Sequence, residues 1–241
     1  MLRGMWISAS ALSPAQRAQE ILANNLANVG TPGFRQVRFA FQQEANALGL
    51  PLLPGGAAPS SEAPGLVTQL DLAEASLETT GNPLDLSLSG SGFFAVQGPE
   101  GPLYTRDASL VRGLDGTLLH RSGHPILTEG GPVIVPETGT VEVSADGNVK
   151  VDGSTVGRLQ VVELPDPTLL RLAGRNLIQT NAEVLPVESP VVVQGAVEGA
   201  NSDPVATMIE MLAILRSYQA NQSAISTQDA SLGQLIRWAS S

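Results

Sequence analysis

The sequence predicts a mainly β protein with helical ends, its middle an antiparallel β sandwich or barrel, and three observations carry that expectation. The stretch from Asp203 to Arg237 repeats apolar residues by alternate threes and fours, a heptad seam made to lie lengthwise along another helix. The stretch from Leu66 to Val197 is broken into short apolar runs by Asp115-Gly116, Asp146-Gly147 and Asp152-Gly153, dipeptides that favour hairpin turns. Finally, 25 glycines and 17 prolines in 241 residues suit many turns and short strands rather than a bundle. The division that follows is an N-terminal helical segment (1–35), a linker or mobile loop (36–65), a β domain (66–198) and a C-terminal helical segment (199–241).

In chain order, Leu2, Met5, Ala9, Leu12, Ala15, Ala18, Leu22, Leu26 and Val29 form the stripe of a first helix. Ala15 and Ala18 are small, so a partner helix can approach closely there. Ser13-Pro14 interrupts the stripe. An interior proline costs about 3 kcal/mol, so a kink or a restart at Pro14 is expected. Gly30-Thr31-Pro32-Gly33 stops the helix. The span 49–65 holds Pro51, Pro54, Pro59 and Pro64 with glycine, alanine and serine, a linker composition.

Strand-like runs follow at Leu84–Ser89, Phe93–Gln97, Leu103–Arg106, Thr117–His120, Val133–Val135, Val141–Ser144, Asn148–Val151, Leu159–Leu164, Leu177–Gln179 and Val191–Gln194. In the first of these apolar and polar residues alternate, which predicts one buried and one wet face. The last element begins with Asp203 as N-cap and Pro204 at the first helical position. Its expected seam is Met208, Met211, Leu215, Tyr218, Gln222, Ile225, Asp229, Leu232 and Ile236, which read as a coiled-coil pairing with the first helix or with other copies.

Composition excludes several functions. A net charge of −10 argues against nucleic acid as a partner, since a phosphate backbone needs clustered Lys and Arg. With no cysteine there is neither a disulfide nor a thiolate metal site. No apolar run approaches the roughly 20 residues of a membrane span. The start, Met1 to Ser10, lacks the apolar core of a cleaved signal peptide. His120 and His124, the two histidines, lie near no carboxylate cluster of metal-site type and read as surface residues. Gly90-Ser91-Gly92-Phe93-Phe94-Ala95 fits a dinucleotide pattern, but a strand follows it where the motif needs a helix. Catalytic, cofactor and metal residues are therefore expected to be absent, and an enzyme is not the expected reading.

Ile21 to Arg35, reading Ile-Leu-Ala-Asn-Asn-Leu-Ala-Asn-Val-Gly-Thr-Pro-Gly-Phe-Arg, resembles the N-terminal signature of the bacterial flagellar rod and hook proteins, the axial proteins of the basal body. Glu198-Gly199-Ala200-Asn201-Ser202, Arg216 to Asn221 and Ile225-Ser226-Thr227 resemble the family's C-terminal signature. Thr80 to Leu86, Gly90 to Val96, Tyr104-Thr105-Arg106 and Gly123 to Leu127 resemble the β domain between them. The likeness spans nearly the whole chain outside about 36–65. It departs at Pro14, at Ser91 (commonly acidic) and at Gln219 (commonly Glu).

The resemblance implies a middle-sized, distal-rod-like structural subunit of the rod that transmits torque. It implies export without a cleaved signal through the type III apparatus, and end helices that order on assembly as an inner tube with the β domain outside. The implied partners are sister copies, other rod and hook proteins and the export apparatus, and the implied location is the basal body. The residues expected at the assembly interface are Leu22, Asn24, Asn25, Leu26, Asn28, Met208, Met211, Leu215, Arg216, Tyr218, Asn221, Ile225, Leu232 and Ile236. The alternative is a secreted β-rich binding or adhesion module whose terminal helices make a small closed oligomer.

Overall fold

A computed structural model describes residues 2–41, 65–136, 139–174 and 176–239. Most of the expected linker lies outside the described residues, as do the side chains of Leu2, Met5, Ala9, Leu232 and Ile236. The described chain is mainly β, with one helix at each end. It divides into two compact units.

The first unit holds helix α1 (Leu2–Ala27), strands β1 (Val37–Phe41) and β2 (Leu66–Leu70), and helix α2 (Pro204–Ala239). Helix α1 runs through Pro14, so the expected restart does not occur. Pro14 and Ala15 are buried, so that stretch of helix gains apolar burial to set against the missing N–H. Ala15, Ala18, Leu22 and Ile214 form the core of this unit, with Phe39, Leu66, Met211 and Tyr218 packed around it. The small residues Ala15 and Ala18 of α1 thus share one core with Ile214 of α2. Strands β1 and β2 pair as a two-stranded ribbon, β1 falling within the span expected as linker. Asn25 binds Val37 at both of its polar groups, donating to the carbonyl at 2.9 Å and accepting from the N–H at 3.0 Å.

At the start of α2, Asp203 caps the helix as expected. Its Oδ1 accepts from the N–H of Val205 at 2.8 Å and of Ala206 at 3.2 Å. The face of α2 turned inward differs from the expected seam. It comprises Thr207, Met211, Ile214, Tyr218, Asn221, Ile225 and Gln228, all buried or half-buried. Met208, Leu215, Gln222 and Asp229 are exposed. The cause is that α2 is apolar on two sides. Val205, Met208, Ile209, Leu212 and Leu215 make an outward stripe at the same spacing, and periodicity alone does not say which stripe is inside.

The second unit holds Asn28–Gln36 and Leu70–Ser202. Its strands are β3 (Leu77–Thr79), β4 (Asp85–Ser89), β5 (Phe93–Gln97), β6 (Pro102–Thr105), β7 (Ala108–Arg112), β8 (Leu118–His120), β9 (Leu127–Thr128), β10 (Gly131–Pro132), β11 (Val141–Val143), β12 (Asn148–Val151), β13 (Ser154–Arg158), β14 (Val161–Glu163), β15 (Leu170–Leu172), β16 (Ile178–Thr180), β17 (Leu185–Pro186), β18 (Val191–Gln194) and β19 (Ala196–Glu198). The largest sheet has the order β15-β16-β6-β5-β14-β17, and another the order β18-β4-β7-β8. The pairings are antiparallel, and no sheet among the described residues closes into a barrel.

The core runs from Leu86, Leu88 and Phe94 through Leu110, Leu118 and Ile126 to Val149, Leu159 and Val192. The Asp-Gly turns behave as their chemistry requires. Asp152 and Gly153, with φ of 48° and 80°, connect β12 to β13, while Gly116 turns β7 into β8 with φ of 82°. Strand β4 departs from expectation, because it has no wet face: Asp85, Leu86, Ser87 and Leu88 are all buried. It lies between β18 and β7, and its polar side chains find partners inside. Asp85 accepts from Thr80 Oγ1 at 2.7 Å, and Ser87 Oγ donates to the Val193 carbonyl at 3.4 Å. Val133–Val135 forms no strand, only an isolated bridge from Ile134 to Thr117.

Candidate assembly interface

Within the first unit, the expected interface residues separate into three groups. Leu22 and Asn25 are buried inside the unit, and Leu26, Met211, Tyr218, Asn221 and Ile225 are half-buried. Asn24, Met208, Leu215 and Arg216 are exposed. Leu232 and Ile236 have side chains outside the described set. The outward stripe of α2 contains Met208, 50% exposed, and Ile209, 63% exposed, neighbours on one helix face with Val205, Leu212 and Leu215. Neighbouring exposed apolar residues of this kind are surface that a partner can cover. Val205, Ile209 and Leu212 were not singled out from sequence, though their spacing of three and four carried the signal.

Within the second unit, the motifs that are far apart in sequence converge on Glu198. Its Oε1 accepts from Arg35 Nη2 at 2.5 Å and from the Ala75 N–H at 2.8 Å, and its Oε2 accepts from Arg106 Nε at 2.6 Å. All three charged side chains are 2% exposed or less. Arg106 also donates through Nη1 to the carbonyls of Gly90 at 2.7 Å and Gly92 at 2.6 Å. The glycine loop therefore wraps a guanidinium. Burial pushes the Glu198 carboxyl up, but the N–H of Ala75 and the two guanidinium groups more than reverse this and hold it below the usual carboxylate range. Burial lowers the Arg35 pKa, partly offset by Glu198.

The backbone repeats the join. Gly33 donates to the Glu198 carbonyl at 2.7 Å, and Asn201 donates to that of Phe34 at 3.2 Å. Asn201 Oδ1 accepts from the Gln36 N–H at 2.7 Å, and its Nδ2 donates to the carbonyls of Asp71 and Ala73. The segment that follows α1 and the segment that precedes α2 are thus tied side by side. Gly33 is required for this: φ is +66°, and a Cβ there would lie 2.4 Å from the Asp107 nitrogen. Asn28, expected at the interface, belongs to this unit and accepts from Thr31 Oγ1 at 3.3 Å.

A second cluster centres on Asp107. Its Oδ1 accepts from the N–H and hydroxyl of Ser109, and its Oδ2 from Asn176 Nδ2 at 3.1 Å and His120 Nε2 at 3.3 Å. Burial raises the Asp107 pKa, but His120 and Ser109 outweigh it and the net direction is down. His120 is therefore not a surface residue, contrary to expectation; it is buried, and its Nδ1 faces Ser122 Oγ at 2.6 Å. Asp107, His120 and Ser122 have the connectivity of an acyl-transfer triad. However, the Ser122 N–H donates to the same Nδ1 at 3.1 Å, so the lone pair a general base needs is already engaged. The cluster works as a structural lock, with Asn176 also holding the Pro32 carbonyl at 3.0 Å. Asn176 had no sequence signal. Among the described residues no group of His, Asp and Glu is placed to hold a metal ion, and no helix is long and apolar enough to cross a membrane.

Three family models match the chain. These are the flagella basal body rod protein (residues 5–35), the flagellar hook protein FlgE/F/G D1 domain (87–151) and the flagellar basal body rod FlgEFG protein C-terminal (193–237). The flagellar basal-body rod protein FlgG of Buchnera aphidicola subsp. Acyrthosiphon pisum is 32% identical, over 98% of this chain and 99% of its own length. The flagellar basal-body rod protein FlgF of Caulobacter vibrioides is 30% identical, over 91% of each chain. That of Salmonella typhimurium is 29% identical, over 97% of each.

Proposed function

The chain belongs to the flagellar basal-body rod protein family, and from that premise we propose that it is a structural subunit of the rod that polymerises through its terminal segments, 1–35 and 199–241, into the torque-transmitting axial tube. The observation that carries the assembly mode is the outward apolar stripe of α2. A helix with one apolar face satisfied inside its own unit and a second left open has a surface to offer sister copies. The helices pair as a coiled coil, and the β-rich unit is a sandwich-like body outside the tube. Other rod and hook proteins bound the stack, and the chain reaches it through the type III apparatus with no cleaved signal. The role is structural rather than enzymatic. Family membership favours this reading over a closed-oligomer binding module.

The test is a charge on each face of α2. Leu215→Asp puts a carboxylate on the outward stripe, so the protein folds, β-rich unit included, but is lost from isolated basal bodies and swimming stops. Ile225→Asp also blocks incorporation with the β-rich unit folded, but it lies on the inward face and lowers the stability of the helical unit as well. If Leu215→Asp enters the rod at the normal level, the outward stripe is not the assembly surface.

A further inference from the structure

The β7–β8 hairpin has two unlike ends. At its turn, Leu114 is fully exposed at 110% of its reference area, and Ile134, bridged to Thr117, is 66% exposed. Ile134 Cγ2 would lie 3.4 Å from a Cβ on Gly116, so the two apolar side chains flank the same turn. Between them in sequence is exposed Asp115, its carboxylate held by the N–H of Thr117 at 3.1 Å and its hydroxyl at 2.8 Å. A single exposed leucine needs no explanation. Two large apolar groups on a turn, beside a fixed carboxylate, make a knob with a defined chemistry.

At the opposite end, where β7 begins and β8 stops, is a cleft of about 690 Å³. Thr31, Pro32, Ala173 and Leu177 line it, and exposed Arg121 and half-buried His124 also border it. The Asp107 lock described above forms part of its wall. An antiparallel hairpin keeps its turn and its open end roughly a strand length apart, about 15 Å for five residues. The apolar, acidic knob and the cleft therefore lie at opposite ends of the hairpin. The cleft sets apolar Pro32, Ala173 and Leu177 among polar neighbours such as Asn28 and Asn176, with exposed Arg121 as its cation.

We propose that the Leu114–Ile134 knob of one copy seats in the cleft beside Pro32 and Ala173 of a second copy, with Asp115 meeting Arg121. Two different patches that meet give a head-to-tail contact, which cannot stop at a two-fold dimer and, where its rotation does not close a ring, elongates as an open filament. Opposite charges at its edge select the register of the contact. This proposal rests on the rod-subunit reading and adds a contact made by the β-rich unit to the one made by the helices.

The chain has no cysteine, which makes the test direct. Leu114→Cys and Ala173→Cys are combined in one full-length chain, expressed in place of the native protein, and basal bodies are isolated and oxidised. The expected result is a ladder of disulfide-linked oligomers from the double variant and monomer from each single variant. A double variant present in basal bodies that yields only monomer overturns the contact and leaves the rod reading standing. Absence of the unaltered chain from basal bodies sinks both.

Charge reversal supplies the second measurement, should the cysteines impair folding. Arg121→Glu alone and Asp115→Arg alone each lower incorporation by roughly tenfold, and the two together restore it. Normal incorporation of both single variants, or no recovery in the pair, also overturns the contact.

Discussion

Glu198→Gln is the substitution whose outcome the structure sets most tightly. Oε1 of Glu198 serves Arg35 and Ala75, and Oε2 serves Arg106. A glutamine keeps one acceptor oxygen and turns an amide N–H toward the other guanidinium, donor facing donor. It also leaves two buried cations with no counter-charge. Removing one partner of a buried ion pair costs about 3–5 kcal/mol, or roughly 2–4 °C in Tm for each kcal/mol in a chain of this size. Arg106 keeps its carbonyl partners at Gly90 and Gly92, which holds the loss within that range.

Arg35→Met is the comparison. Arg35 is the second cation on one carboxylate, and its Nε and Nη1 meet no acceptor among the described residues. Its removal leaves a balanced Arg106–Glu198 pair and costs less than Glu198→Gln. The assay is urea unfolding of the full-length protein, with hydrogen exchange of peptides covering 103–112 and 192–199 as the local readout. A loss below about 1 kcal/mol for Glu198→Gln, the range of an exposed pair, would refute the account, as would a larger loss for Arg35→Met.

Further outcomes follow from the same geometry. Gly33→Ala forces a left-handed residue to carry a Cβ into the Arg106–Asp107 backbone, costing about 1–2 kcal/mol for the conformation and about 1–3 kcal/mol for the clash. Gly30→Ala, with nothing within 4 Å of its Cβ, stays within about 0.5 kcal/mol of the parent by thermal unfolding. Asp203→Ala removes the cap of α2 and costs about 1 kcal/mol, while Asp203→Asn costs much less; circular dichroism at helical wavelengths during melting separates them. Glu198 and Asp107 both have folded-state pKa values below their ordinary ones. Their contribution is thus complete above the ordinary carboxylate range, about pH 4, and is lost as pH falls through the depressed values. The urea midpoint of the β-rich unit should fall on acidification below about pH 4, and Asp107→Asn should flatten that slope; an unchanged slope would show that Asp107 is not a source of it.

Much of the fold was legible because it depends on local chemistry. Asp203-Pro204 starts α2 in any context that allows a helix, and Asp152-Gly153 turns a hairpin because both residues tolerate positive φ. The strands at Phe93–Gln97, Asn148–Val151 and Val191–Gln194 stand where the apolar runs place them. Strand β7, Ala108–Arg112, was not anticipated, since its single Ser-Leu-Val run lacks a clear alternation. The convergent motifs around Arg35, Arg106 and Glu198 were visible as words, but their common purpose was not. Charge pairing across 163 and 92 positions has no local signature.

By itself, the sequence determined the two terminal helices, the strands of its clearest apolar runs, that the chain ends are built to pack, and which family it belongs to, because propensity, turn chemistry and motif order are properties of neighbours along the chain. Only the tertiary structure decided which stripe of α2 faces inward, that β4 is covered on both faces, and that His120 is sealed beneath Ser122. Each of those depends on what the rest of the chain brings alongside, and burial is a property of neighbours in space.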